Sequence, residues 1–378
     1  MRLTNMVLTT AIIAAAIILT AVLSTATLNA ATGGGANGNA AASIALTEAA
    51  APVAPRFLSE TGLYSNVGKL KIDPRNRTLS PQYPLWSNGA TKGRWVRLPE
   101  GSMINVADLA NWELPVGTKF WKEFSFKGRK VETRFLWQTR KGHWVFASYA
   151  WNEQQTNAQL ASESGIANIA DVGDSKRHSI PSVSECRSCH DASRTETLGF
   201  NALQLSTDRD PNALHGEPLT GEMLTVKTLV DENLITPSRP ELVTNPPRIA
   251  AASPITRTAL GYLSTNCGSC HNSEGSIAKL GLDLRQTASA LECSAAIATT
   301  INKRGHWFVP EAQDESRVVN PGHPESSALI RRIKSRRPIS QMPPIGTVVV
   351  DREAVNLLTS WVNSNAAEIA ARCGAQGI

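Results

Sequence analysis

Two pentapeptides of the same pattern constrain this chain more than any other feature of its sequence. The first motif is Cys-Arg-Ser-Cys-His at residues 186–190, and the second motif is Cys-Gly-Ser-Cys-His at residues 267–271. Each places two cysteines three positions apart and a histidine directly after the second cysteine. Together they use four of the six cysteines in 378 residues, so that two chance occurrences are negligible.

This spacing suits the covalent attachment of a c-type haem. Each thiol adds across one vinyl group of the porphyrin, and one helical turn brings the adjacent histidine beneath the ring to ligate the iron. The sequence therefore predicts two covalently attached haem c groups. The predicted attachment residues are Cys186, Cys189, Cys267 and Cys270, and the predicted iron ligands are His190 and His271.

Two other uses of paired cysteines agree less well with the sequence. A zinc site built from four cysteines is disfavoured because 77 residues lie between Cys189 and Cys267, which exceeds the usual zinc-ribbon spacing. A thioredoxin-like redox pair is disfavoured because neither pair follows a strand in a βαβ pattern and a histidine follows both. Haem attachment is the preferred interpretation.

The stretch "RRPISQMPPIGT" offers a second ligand for the iron of the second motif. Met342 lies 71 residues after His271 and precedes Pro343 and Pro344. The prolines stiffen the loop, and a polar loop is a poor place for a methionine that merely fills a core. We therefore predict that Met342 ligates the second haem.

The first motif has no comparable loop after it. Met223 lies 33 residues beyond His190 and is the candidate ligand, although it also fits the apolar stripe of a predicted helix. His178 and His215 are its rivals. A five-coordinate or bis-histidine iron would have a lower potential than a methionine-ligated one.

The two remaining cysteines, Cys293 and Cys373, lie 80 positions apart. A disulfide between them would join the final helix to a helix that begins near Leu291, whereas the alternative is two unrelated buried thiols. Export to an oxidising compartment favours the disulfide.

The N-terminal residues predict export. Arg2 precedes an apolar stretch from Val7 to Leu23, and small residues follow around Ala30, which is the layout of a bacterial-type export signal. The expected location is the periplasm, with no membrane span after cleavage, although an uncleaved signal would act as an anchor. The Ala- and Gly-rich segment that follows predicts a flexible tether.

Local composition and hydrophobic periodicity divide the rest of the chain into three parts. Short runs rich in aromatic and β-branched residues, separated by glycine turns, predict an antiparallel sandwich or barrel, and helical periodicity dominates afterwards. The expected fold class is α+β and multidomain: an N-terminal antiparallel β-sandwich-like domain followed by mainly α-helical cytochrome c-type haem domains. The predicted boundaries are 1–31 for the signal peptide, 32–55 for the tether, 56–172 for the β-rich domain, 173–250 for the first haem unit and 251–378 for the second haem domain.

Several sequence motifs of this chain resemble those of known c-type cytochromes. With "CGSCH", a Met-Pro loop and a C-terminal "LLTSWV", residues 256–365 resemble a class I cytochrome c domain. With "PLWSNGATKGRWVRLP" and "ETRFLWQTRKGHWVFASYAW" ahead of the two motifs, the whole chain is similar to a family of exported dihaem c-type cytochromes. The resemblance implies a β-rich N-terminal domain and an electron-transfer role, and it implies no substrate.

These features favour an electron carrier over a catalyst. The expected function is an electron relay between periplasmic redox partner proteins, and the alternative is a dihaem peroxidase-like enzyme in which one iron keeps an open coordination site. A third hypothesis makes the β-rich domain a module that binds a protein or a sugar-like ligand. The net charge of +6, without a long basic run, does not indicate nucleic acid. The basic cluster at residues 331–337 suits a haem propionate, an acidic partner or a solvated helix face.

Overall fold

The computed structural model describes residues 52–288, 293–307 and 316–374. The predicted signal peptide and most of the predicted tether lie outside these residues. The chain from Ala51 onward forms one compact unit. Within the described ranges, no helix is long and apolar enough to cross a membrane.

The largest element is a six-stranded antiparallel sheet with the strand order β3-β4-β6-β7-β8-β9. The pairs β1–β2, β10–β11 and β5–β12 form separate two-stranded sheets. The strands are β1 Tyr64–Asn66, β2 Lys71–Ile72, β3 Arg77–Thr78, β4 Thr91–Arg97, β5 Ile104–Asn105, β6 Lys119–Phe126, β7 Arg129–Arg140, β8 His143–Trp151, β9 Ala158–Leu160, β10 Ile166–Gly173, β11 Lys176–Ile180 and β12 Ile235–Thr236.

A tight turn sets the register of the central hairpin. Strand β6 ends at Phe126 and β7 begins at Arg129, so that only Lys127 and Gly128 connect them. Both connecting residues have positive φ angles, 49° and 77°. A two-residue loop with this geometry matches the right-handed twist of the strands it joins.

The two faces of the large sheet differ in character. One face, here called the core face, packs aromatic side chains against the N-terminal segment in a cluster that includes Trp121, Phe135, Tyr149 and Leu58. Alternation along each strand places their neighbours on the opposite face. That second face, here called the motif face, carries Arg94, Lys122, Arg134 and Phe146, and it positions the candidate site.

The second half of the described chain contains short helices joined by irregular segments. A hydrophobic cluster centred on Leu260, Leu263, Leu358 and Trp361 holds the later helices together. The helices are α1 Val183–His190, α2 Val226–Asp231, α3 Glu241–Thr244, α4 Pro254–Asn266, α5 Ala295–Thr300, α6 Ala328–Lys334, α7 Arg352–Ser364 and α8 Ala366–Gly374. Short 3-10 helices lie at Leu58–Glu60, Ala278–Leu280 and Pro324–Ser326.

The predicted fold class is wrong. The molecule is β-rich, with one six-stranded antiparallel sheet, and the eight helices of its described residues have at most thirteen residues each. A β-sandwich-like domain followed by mainly α-helical cytochrome c-type haem domains is not what the chain forms. The C-terminal segment that resembles class I cytochrome c has helices α4 to α8, but irregular chain separates most of them.

Tertiary hydrogen bonds explain why helical periodicity misled the prediction. The apolar rhythm of residues 221–235 predicts one long helix, but only Val226–Asp231 is helical. The Leu224 N–H donates to the Thr78 carbonyl, and the Leu234 carbonyl accepts from the Ile104 N–H. Because these flanking residues pair with the N-terminal strands, the helix cannot extend in either direction.

Candidate functional site

The first motif lies on α1, which packs on the motif face. Ser182 caps this helix: its side chain accepts from the Glu185 N–H, and the Glu185 carboxylate accepts from the Ser182 N–H. The His190 ring contacts the Phe146 ring edge-on at a centroid distance of 5.0 Å. The Arg187 guanidinium lies 5.1 Å from the centre of the same ring. The helix is thereby fixed against β8.

His190 has the hydrogen bonding expected of an iron ligand. Its Nδ1 donates to the Glu196 carbonyl oxygen, and Nε2 makes no hydrogen bond with the described residues. A proton held on Nδ1 leaves the lone pair on Nε2, which is how a second hydrogen bond selects the ligating nitrogen. Burial lowers the pKa of His190 to about 4, and the nearby charges of Arg134 and Lys122 act in the same direction.

The second motif follows the end of α4 in a single tight turn. The His271 N–H donates to the Cys267 carbonyl at 2.8 Å, so that the two cysteines and the histidine share one helical turn. Gly268 is required there because a Cβ atom would lie 2.5 Å from the Ser264 carbonyl oxygen. The His271 Nδ1 atom is buried and has no hydrogen-bond partner among the described residues. Burial, and next the charge of Arg332, lowers the His271 pKa.

The structure brings the two motifs into contact. The Cys189 and Cys270 sulfur atoms are 4.0 Å apart. The segments after each motif also meet, because Asn272 Nδ2 donates to the Ala192 carbonyl at 3.1 Å and Arg194 pairs with Glu274 at 2.7 Å. Although 77 residues separate Cys189 from Cys267 in the sequence, the two motifs are neighbours in space.

The four motif cysteines are free and half-buried. Burial raises the pKa of Cys267 to about 12, and a hydrogen bond with Cys270 together with burial raises that of Cys189. Within the described ranges no three His, Cys, Asp or Glu side chains come together as a metal site. Four unpaired thiols and two imidazoles with an uncommitted Nε2 fit two separately attached haems better than one shared metal ion.

Arg332 interacts both with the Met342 backbone and with the His271 side chain. The Met342 N–H donates to the Arg332 carbonyl at 3.1 Å, and the Arg332 charge acts on His271. Met342 is half-buried. The Gln341 side chain donates to the Pro344 carbonyl and so restrains the loop around Met342. The predicted ligand therefore lies in the neighbourhood of the second motif, and its bond to iron stays a prediction.

Met223 is not brought to the first motif by any contact among the described residues. It is half-buried in the turn before α2, where the neighbouring Leu224 pairs with Thr78 of β3. Strand β3 is at one edge of the large sheet, and His190 packs on β8 towards the other edge. Its role as a ligand stays a prediction.

His178 has both ring nitrogens engaged. Asn88 Oδ1 accepts from the Val348 and Val349 N–H groups, which directs Asn88 Nδ2 to His178 Nδ1 at 3.3 Å. His178 Nε2 is then the protonated atom, and it donates to Glu132 at 3.1 Å. In this arrangement His178 has no free lone pair for iron.

His215, the other rival, lies beside the second half of the chain. Its Nε2 donates to Asp351 at 2.9 Å, and its ring lies 4.8 Å from the Trp86 ring. Asp351 also caps α7 by accepting from the Ala354 N–H. His215 therefore fixes the start of α7.

Cys293 and Cys373 form a disulfide, with Cα atoms 5.6 Å apart. This is the pairing that the sequence analysis favoured. The bond connects the segment before α5 to the last helix, α8. Residues 289–292 lie outside the described chain, and α5 itself begins at Ala295.

The motif face also carries a group of charged residues that was not predicted from the sequence. Glu132 is fully buried and binds Arg134 at 2.7 Å as well as His178. Lys122 and Arg94 lie beside them in register. The available signal was the alternation of charged and aromatic residues in "GRWVR", "KFWKEFSF" and "VETRFLW", which puts several charges on one face of a sheet.

Comparisons of this chain with protein-family models, with curated proteins and with solved structures found no match.

Proposed function

We propose that this protein is a periplasmic dihaem c-type cytochrome that relays electrons between redox partner proteins. The observation that carries the proposal is the 4.0 Å separation between the Cys189 and Cys270 sulfur atoms. Two groups attached at adjacent positions can exchange electrons within one molecule. When bound, each haem supplies an iron that changes between the ferric and ferrous states.

The residues of the chain have separate roles in this proposal. The cysteines of the two motifs anchor the porphyrins, and His190 and His271 ligate iron through Nε2. The Glu196 carbonyl orients His190 by accepting from Nδ1. The contact between Asn272 and Ala192 keeps the two attachment points together. Met342 would supply a second protein ligand to the iron of the second motif, and an iron held by two protein ligands would favour electron transfer over the binding of a small ligand.

A mass measurement tests the proposal. The full chain, matured in a host that attaches haem to cytochromes, should carry the added mass of two haems. The double variant Cys186→Ala, Cys189→Ala should carry one. Ser188→Ala, a change between the same two cysteines, should keep both. Wild-type protein without added mass would refute the proposal.

A redox titration followed by absorption spectra tests the relay itself. Two neighbouring haems should give two reduction steps in the wild type and one in the double cysteine variant. Because the oxidation state of one haem changes the charge beside the other, the remaining step should differ in potential from both wild-type steps. A remaining step identical to one of the wild-type steps would argue against adjacent haems.

The buried pair of His178 and Glu132 supports a second candidate, a peroxidase-like enzyme. An acid and a base in hydrogen-bond contact on the motif face could transfer protons to a substrate near the first haem. Hydrogen peroxide turnover by the wild type that is lost in His178→Phe would favour the enzyme. Haem spectra free of a high-spin signal, with no turnover, would favour the carrier.

A further inference from the structure

Positively charged side chains form a row across three strands of the motif face. Arg94 of β4 pairs in register with Lys122 of β6, and Lys122 pairs with Arg134 of β7. Residues directly opposite in an antiparallel sheet point to the same side. Lys92, two positions before Arg94, joins them there. We call these four residues the cationic row.

The carboxylates of the described chain do not balance this row. Arg94 pairs with Glu217 at 2.7 Å, and Arg134 pairs with Glu132 at 2.7 Å. Lys92 and Lys122 form no ion pair with the described residues. Only two of the four basic side chains therefore have an ion-pair partner among the described residues.

Two of these side chains have unused hydrogen-bonding capacity. Arg94 is only 8% exposed, and its buried Nη2 atom has no hydrogen-bond partner among the described residues. The Lys122 ammonium lies 5.2 Å from the centre of the Phe124 ring and makes no hydrogen bond with a described residue. A buried donor without an acceptor, such as Arg94 Nη2, costs free energy unless a ligand satisfies it.

The surroundings also disfavour charge on the lysines in the absence of a ligand. Burial, and next the charge of Arg94, lowers the pKa of Lys122 far below its usual range. The same two causes lower the pKa of Lys92 to about 8. By exposed area Lys122 is only half-buried, yet protein surrounds it closely enough to produce this shift. Cations held together in this way are stabilised by an anion between them.

The row lies beside the first motif. Phe146, which contacts His190, pairs in register with Leu136, two positions along β7 from Arg134 on the same face. The charge of Arg134 opposes the burial that raises the pKa of Cys186, so that the guanidinium lies within electrostatic reach of the attachment point.

We propose that Arg94, Lys122 and Arg134 form an anion-binding site for a carboxylate or an inorganic oxyanion beside the first motif. Guanidinium groups bind both kinds of anion through paired N–H donors. Two sources share this chemistry: the propionates of the first haem, in which case the site rests on the proposed function, and a free oxyanion such as phosphate.

The test compares Lys122→Met with Lys119→Met. Both variants lose one positive charge from β6, but Lys119 lies on the core face, where it donates to the Thr61 carbonyl. Two quantities are measured on the full chain with its haems attached. One is the midpoint potential of each haem, with and without phosphate, and the other is the melting temperature with and without phosphate. Lys122→Arg serves as a variant that keeps the charge.

If propionates occupy the site, Lys122→Met lowers one haem potential, because a nearby cation favours the reduced iron. A tenfold change in the reduction equilibrium corresponds to about 59 mV for one electron. Phosphate then changes neither quantity in the wild type, and Lys122→Arg keeps the wild-type potential.

If a free anion occupies the site, phosphate raises the melting temperature of the wild type by binding its folded state. Lys122→Met then loses this rise, whereas Lys119→Met keeps it. The proposal is overturned if Lys122→Met and Lys119→Met match in both quantities.

The two proposals can fail separately. Mass measurement shows whether the haems are attached, independently of any anion. If they are absent, the phosphate effect on the melting temperature still tests the cationic row in the same chain, and the absence of that effect would then refute the anion site as well.

Discussion

On the motif face, the ionised form of Glu132 is stabilised by its neighbours Arg134 and His178. This carboxyl group is fully buried, and burial alone would raise its pKa. The charge of Arg134 and the hydrogen bonds from Arg134 and His178 outweigh burial and hold the Glu132 pKa at about 2. Removing one member of such a network would leave the others buried without partners.

The first prediction concerns pH. The folded pKa of Glu132, about 2, lies below its ordinary value of 4.5, so its contribution to stability is present above pH 4.5 and is lost as the pH falls through 2. The shift corresponds to about 3 kcal/mol. We expect Glu132→Gln to lower the free energy of unfolding at neutral pH, and we expect the difference from the wild type to narrow below pH 4.5.

Urea unfolding at a series of pH values checks this expectation. Glu153→Gln is the matched control because Glu153 is exposed and should change stability little at any pH. If Glu132→Gln is less stable than the wild type by the same amount at every pH down to 2, Glu132 is not ionised in the folded protein as we infer.

The second prediction concerns Met342. If its thioether ligates the second iron, Met342→His should lower the midpoint potential of one haem, because methionine ligation favours the reduced state. The other potential should change much less. Redox titration measures both, and Met103→Leu is the control since Met103 is 50% exposed. Unchanged potentials in Met342→His would show that Met342 does not ligate the second iron. The same measurement on Met223→Ala tests whether Met223 ligates the first iron.

At the level of secondary structure, α4 connects the core of the C-terminal half to the second motif. Its side chains Leu260 and Leu263 are buried, and Gly261 lies directly against the Tyr83 ring. A Cβ atom at Gly261 would lie 2.2 Å from a carbon of that ring. The glycine therefore permits the close approach of α4 to the Tyr83 segment, at the expense of helix propensity.

The third prediction is that alanine at position 261 destabilises the protein, although alanine usually stabilises a helix relative to glycine. Alanine is favoured over glycine inside a helix by about 1 kcal/mol, yet we expect Gly261→Ala to destabilise the protein by about 1–3 kcal/mol through overpacking. Chemical unfolding gives the sign. In a Tyr83→Ala background the same substitution should become neutral or stabilising, and equal destabilisation in both backgrounds would show that Tyr83 is not the cause.

At the scale of the whole molecule, hydrophobic clusters join parts of the chain that are distant in sequence. Val96 and Trp112 share one cluster with Phe200, Leu224 and Leu229. The β-rich segment and the segment after the first motif therefore stabilise each other. The disulfide adds a covalent connection within the C-terminal half.

The fourth prediction concerns that disulfide. It closes a chain segment of 80 positions, and its removal should lower the free energy of unfolding by about 4 kcal/mol in the chain-entropy model. We expect Cys293→Ala with Cys373→Ala to unfold at lower urea concentration than the wild type. Wild-type protein treated with a thiol reductant should approach the variant, and coincident unfolding curves for all three samples would contradict a structural role.

The sequence by itself predicts covalent haem attachment at the two motifs, because a pattern of two thiols and an imidazole within five residues depends only on local spacing. It also indicated the turn glycines and the pairing of Cys293 with Cys373. It misjudged the fold class, since periodicity describes one segment at a time and cannot show that the ends of a helix will pair with distant strands.

Only the tertiary structure decided which distant residues meet. The contact between Cys189 and Cys270 and the network of Asn88, His178 and Glu132 join residues more than 40 positions apart in the sequence. The cationic row depends on the register of three neighbouring strands. Such contacts form because burial of shared apolar surface outweighs the entropy of closing long loops, and that balance is a property of the whole chain.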